Sequence, residues 1–97
     1  MQTLLVLNIN PELEEELVDY LLAQPKVSGF TSYHVHGHGA FPDMSLAEQV
    51  TGRRKRIQLE VMLDKVDVST TLGGLKTKVG TDIVYWEQAI SNSGRID

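Results

Sequence analysis

The apolar positions of the chain alternate between two rhythms, one of period two and one of helical spacing, and the switches between them mark the elements. Thr3 to Ile9 is apolar on both sides of an extended chain, with Leu5, Leu7 and Ile9 on one face and Leu4 and Val6 on the other. A strand covered on both sides reads this way, which predicts a central place in its sheet. Asn10-Pro11-Glu12 supplies a helix start: an N-cap amide, a proline in the first turn and acids near the positive end of the helix dipole. Leu13, Leu17, Val18, Leu21 and Leu22 continue as an apolar stripe, Glu12 to Glu16 form a solvated face, and Pro25 ends the helix.

Val27-Ser28-Gly29 turns the chain into a second strand, Phe30 to about His38, with Gly37 and Gly39 marking where the strand gives way. Ala40 to Gly52 follows, a long connection for a hairpin, with a short helical turn expected at Leu46 to Val50. From Arg54 to Leu63 the alternation is clean: Ile57, Leu59, Val61 and Leu63 point inward, and Gln58, Glu60 and Met62 point the other way. Asp64 can cap a second helix over Lys65 to Lys78, with Val68, Leu72, Leu75 and Val79 as its stripe. Ser69-Thr70-Thr71 and Gly73-Gly74 are poor helix formers within it. Thr81 to Ile90 reads as the last strand, and Ser91 to Asp97 as a polar tail.

The order β-α-β-β-α-β with right-handed crossovers predicts an α+β, ferredoxin-like fold: a four-stranded antiparallel sheet with both helices on one face. The other sheet face would then carry Leu4, Val6, Tyr33 and Val35, or their partners, with no helix to cover it. An uncovered apolar face favours self-association, so an oligomer packing these faces together is expected.

Composition narrows the function classes. The 97 residues, 41% hydrophobic and 23% charged, fit one soluble domain spanning 1–97. No apolar run approaches the roughly 20 residues of a membrane span, and the first residues lack the marks of a signal peptide, so the cytoplasm is the expected compartment. Without cysteine there is neither a disulfide framework nor a thiolate metal site. A net charge of −4 argues against nucleic-acid binding. With no cysteine nucleophile, glycine-flanked serine or carboxylate pair, an enzyme is not expected.

Two clusters carry candidate chemistry. His34, His36 and His38 are the only histidines and recur every second residue. In a strand they share one face, roughly 6–7 Å apart. They are candidate ligands for a divalent transition metal such as copper, zinc, nickel or cobalt, with Asp43, Glu48 or a second subunit completing the site. The more ordinary reading is a strand face whose histidines hydrogen-bond to neighbours or to another subunit. Arg53, Arg54, Lys55 and Arg56 hold four of the nine Lys and Arg residues. Clustered guanidinium groups suit phosphate or carboxylate, and backbone amides at Gly37 and Gly39 can add to an anion site; the bland reading is a solubilising strand edge. Lys78 and Arg95 are further candidates for the same cleft. Tyr85 and Trp86 read as core and interface packing, with base stacking as the alternative.

Gly29-Phe30-Thr31 with Val35-His36-Gly37-His38-Gly39, the basic-to-apolar strand Arg53 to Leu63, and Gly94-Arg95-Ile96 together resemble the PII-like superfamily of nitrogen regulatory proteins. Ser45 to Gly52 and Tyr85-Trp86 add a likeness to a small PII-like family encoded beside heavy-metal efflux systems. The resemblance implies a homotrimer with sheets facing inward and small-molecule sites between subunits. It also implies a T-loop-like connection, at about 38–53, that signals to a protein target. In PII proteins the ligand is an adenine nucleotide. Two departures stand out: the loop is shorter and holds no tyrosine for uridylylation, and Lys76 to Thr81 is shorter than the PII phosphate-binding loop. The leading expectation is a trimeric regulatory protein that senses a small anionic ligand. The alternative is a metal-binding accessory or sensor linked to heavy-metal efflux.

Overall fold

The computed structural model describes residues 1–39 and 53–97. Strand β1 spans Gln2–Ile9, β2 Phe30–His38, β3 Arg53–Asp64 and β4 Ile83–Ala89, in one antiparallel sheet of order β2-β3-β1-β4. This is the predicted ferredoxin-like α+β fold. β1 lies between β3 and β4, the central place its two-sided apolar pattern required.

Register assigns every side chain to a face. Leu5 faces Val61, Leu7 faces Leu59 and Ile9 faces Ile57 across the β1–β3 ladder. All six are fully buried, and Leu17 and Leu21 of helix α1 (Glu14–Leu22) join them in one core with Tyr20, Val68 and Leu75. At about 25 cal/mol per Å² of apolar surface removed from water, this layer is the main stabilising term of the fold.

The helices follow the sequence signals with three corrections. Asn10 caps as expected, its Oδ1 accepting from the Glu12 amide at 3.0 Å, and Pro11–Leu13 forms a 3₁₀ turn that leads into α1. The helix stops at Leu22, ahead of Pro25, and Leu22 itself is exposed outside the stripe; Tyr20 and Leu21 are the buried residues on that turn. The second helix is broken. A 3₁₀ turn at Lys65–Asp67 leads into α2 (Val68–Gly73), and α3 (Leu75–Lys78) follows after Gly74. The Tyr20 hydroxyl donates to the Thr71 carbonyl oxygen at 2.8 Å, and a Cβ on Gly74 would stand 2.7 Å from that hydroxyl. Glycine is therefore needed where α1 presses against the break. Asp64 holds the N-cap position, yet its side chain makes no cap hydrogen bond.

On the open face, Leu4 stands across from Met62, and Val6 across from Trp86. Met62 is 41%, Val84 53% and Trp86 38% exposed, so Trp86 is not core. Tyr85 lies on the helix-covered side of the β4 edge and is also exposed. Among the described residues no helix is long and apolar enough to cross a membrane.

Leu7→Ala removes a fully buried side chain from the central strand, and a loss of about 2–5 kcal/mol is expected in urea unfolding. Leu22→Ala, on the exposed flank of α1, should stay within about 0.5 kcal/mol of wild type.

Candidate functional site

Past the Ile9–Ile57 pair, β1 leaves the sheet at Asn10-Pro11, while β2 and β3 run on together as far as the His38–Arg53 pair. The result is a two-stranded arm extending beyond the end of β1. Side chains alternate along it. His34, His36 and His38 fall on the core side of the sheet, across from Ile57, Lys55 and Arg53; Val35 and Gly37 fall on the open side, across from Arg56 and Arg54.

The basic run splits in the same way. Arg54 and Arg56 turn to the open side, where they are only 6% and 4% exposed. Both reach the carboxylate of Asp82 in the turn before β4: Arg54 Nη2 pairs with Oδ2, and Arg56 Nη1 donates to the same oxygen at 2.9 Å. Arg56 fills the lane that β1 vacates. Its Nε donates to Asn8 Oδ1 at 2.6 Å, and its Nη2 to the carbonyl oxygens of Asn8 at 2.8 Å and Asp82 at 3.0 Å. Asp82 has φ 65°, a left-handed conformation that aspartate tolerates better than most residues, and Gly80 before it has φ 150°. These angles aim the carboxylate back over the sheet.

A polar chain continues from this clamp. Asn8 Nδ2 donates to Gln58 Oε1 at 3.1 Å, Gln58 Nε2 to the Tyr33 hydroxyl oxygen at 2.8 Å, and the Tyr33 hydroxyl to Glu60 Oε2 at 3.2 Å. Every link donates in one sense, from the guanidinium toward the carboxylate.

The sequence-predicted residues therefore separate. Arg54 and Arg56 both pair with Asp82 within the chain. β2 ends at His38 as expected, with Gly37 still paired with Arg54, and the chain departs at Gly39 with φ 128°. Lys78 closes α3 on the approach to β4. Arg95 is not brought to the same cleft. It follows β4, pairs with exposed Asp97 at 2.8 Å, and lies in a tail whose Ser93 hydroxyl donates to Gln2 Oε1, at the opposite end of the sheet from Asp82. The three histidines share one exposed strand face, yet among the described residues no three His, Cys, Asp or Glu side chains come close enough to hold a metal ion. Asp43, Glu48, the turn at 46–50 and most of the T-loop-like connection lie outside the described residues.

Asp82, Asn8, Gln58 and Tyr33 went unrecognised in the sequence as parts of a site. The signal was the Arg54-x-Arg56 spacing, which puts two cations on one strand face and calls for an acid opposite.

Among the described residues the sheet is covered by helices on one side only, with an arm clamped at one end, which defines the class: a ferredoxin-like α+β protein. The chain belongs to the family described as "Protein of unknown function (DUF3240)", whose model matches residues 1–97. The crystal structure of a DUF3240 family protein from Shewanella baltica OS155 is similar in fold, with a TM-score of 0.82 and 22% sequence identity over 99% of this chain and 97% of that one. No protein of curated function matches the chain.

Asp82→Asn keeps a residue that accepts the left-handed turn and removes the charge facing two buried guanidinium groups. A loss of about 2–5 kcal/mol is expected in chemical denaturation, whereas Glu87→Gln, which breaks the more exposed Lys65–Glu87 pair, should cost about 1 kcal/mol or less.

Proposed function

We propose that this protein is a PII-like homotrimer that senses a small anionic ligand between subunits and signals to a protein target through the connection between β2 and β3. The observation that carries this reading is the unequal sheet. One face lies under α1, α2 and α3, and the other leaves Met62, Val84 and Trp86 in water around Leu4 and Val6. Three copies packing these faces inward would cover the patch and bring the clamped arms beside the subunit clefts. Gly37, Gly39, Arg53 and Lys78 are then the candidate ligand contacts, with Arg54 and Arg56 fixing the base of the arm. An adenine nucleotide is the ligand class to which the PII resemblance leads, and non-enzymatic signalling is the activity.

A second reading is supported by the exposed row His34, His36 and His38: a metal-binding accessory or sensor connected with heavy-metal efflux. Such a row needs a further ligand from the connection or from another subunit, because one twisted strand does not converge three imidazoles on one ion.

Sedimentation equilibrium is expected to give three times the chain mass for wild type and a monomer for Trp86→Glu, which places a charge in the patch; a monomeric wild type removes the trimer. Calorimetry with ATP, ADP and AMP then tests the ligand, and absence of heat with all three removes the nucleotide. Titration with Cu²⁺, Zn²⁺, Ni²⁺ and Co²⁺ separates the second reading: replacement of all three histidines by alanine should abolish metal uptake and leave nucleotide binding intact.

A further inference from the structure

On the helix-covered side of the β4 edge, residues of the broken second helix and of β4 line an open cleft of about 240 Å³. Leu72, Leu75, Ile83 and Tyr85 line it together with the exposed Lys76 and the turn residue Asp82. The volume falls just below the roughly 300–1,000 Å³ of ordinary small-molecule pockets, so it suits a single ring or a short acyl chain. The opening is maintained by the fold, since the Tyr20–Thr71 hydrogen bond holds α2 and the Gly80–Asp82 turn is fixed by the arginine clamp.

Charge selects among such ligands. Asp82 is the acid of the lining, and its carboxylate is already engaged by Arg54 and Arg56. Lys76 is exposed and, among the described residues, has no ion-pair partner. Apolar walls with one cation at the rim fit a hydrocarbon that ends in a carboxylate. Asp82 both borders the cleft and holds two residues of the arm, so it connects the two.

We propose that the cleft between the split helix and β4 binds a small apolar carboxylate, and that its occupation is transmitted to the β2–β3 arm through Asp82. The site is built within one chain, so its failure would leave the trimer reading standing.

The test is a ¹⁵N–¹H correlation titration of the full chain with 3-phenylpropionate and with its uncharged counterpart, 3-phenylpropan-1-ol. Saturable shifts are expected for amides in 72–85, with the alcohol weaker by about three- to ten-fold, the scale of one exposed ion pair. Lys76→Glu should weaken the carboxylate by at least that factor, and Lys76→Arg should retain it. Amides of Lys55, Arg56 and Val35 should shift with the same midpoint as those of the cleft. Absence of saturable shifts at millimolar probe, or equal affinity for acid and alcohol, overturns the ligand class. Saturation of the cleft with the arm amides unmoved overturns the transmission.

Discussion

The Asp82 carboxylate, held between Arg54 and Arg56, is the contact on which this end of the molecule depends. Three pieces of chain meet there at the last ladder pairs of β1: the extension of β3, the end of β1 and the turn into β4. A guanidinium removed from water is costly unless its charge and its N–H groups are both met. Arg56 satisfies this condition. Its three nitrogens find four oxygens, on Asn8 and Asp82, within 2.6–3.0 Å. A planar fork can serve a side-chain amide, a carboxylate and two carbonyl groups at once; a lysine ammonium, a point charge on a flexible stem, cannot hold that plane. Among the described residues no buried side-chain nitrogen or oxygen lacks a hydrogen-bond partner, so the burial is compensated.

The clamp also gives the open face its character. From Arg56 the hydrogen bonds pass through Asn8, Gln58 and Tyr33 to Glu60, each donor feeding the next acceptor in one direction. Such a chain polarises along its length and fixes which way each amide is turned. The sheet face is thus divided: a polar spine running from the clamp across to β2, and beside it an apolar patch of Leu4, Val6, Met62, Val84 and Trp86.

The elements were largely legible in the sequence, because hydrophobic period is a local property. The inward row Ile57, Leu59, Val61 and Leu63 and the central position of β1 follow from alternation alone. The break at Gly74 was half visible, since the glycine pair weakens a helix, but its cause is Tyr20, which arrives from another element. The site was less legible. Four adjacent basic residues look like one patch in a sequence, whereas a strand sends neighbours to opposite faces and the topology brings Asp82 against one pair. No local signal connects residue 56 with residue 82. Only the order β3-β1-β4, with β1 ending one residue too early to fill the lane between, makes them neighbours.

The same geometry explains why the arm can be stiff at its root. A two-stranded ribbon alone is at best marginally stable in water, since it buries little and has no third strand to pair with. Beyond Ile57 the arm has lost β1, and the ladder that braces the rest of the sheet no longer reaches it. Arg56 and Arg54 replace that ladder with charge, tying the ribbon to the β4 turn. The histidine face faces a different constraint. Lys55 stands across the strand from His36, and a cation so placed opposes a bound metal cation while it favours an anion. Occupants of that face therefore divide by sign, and the arm's position relative to the body depends on whatever holds Asp82 in its turn.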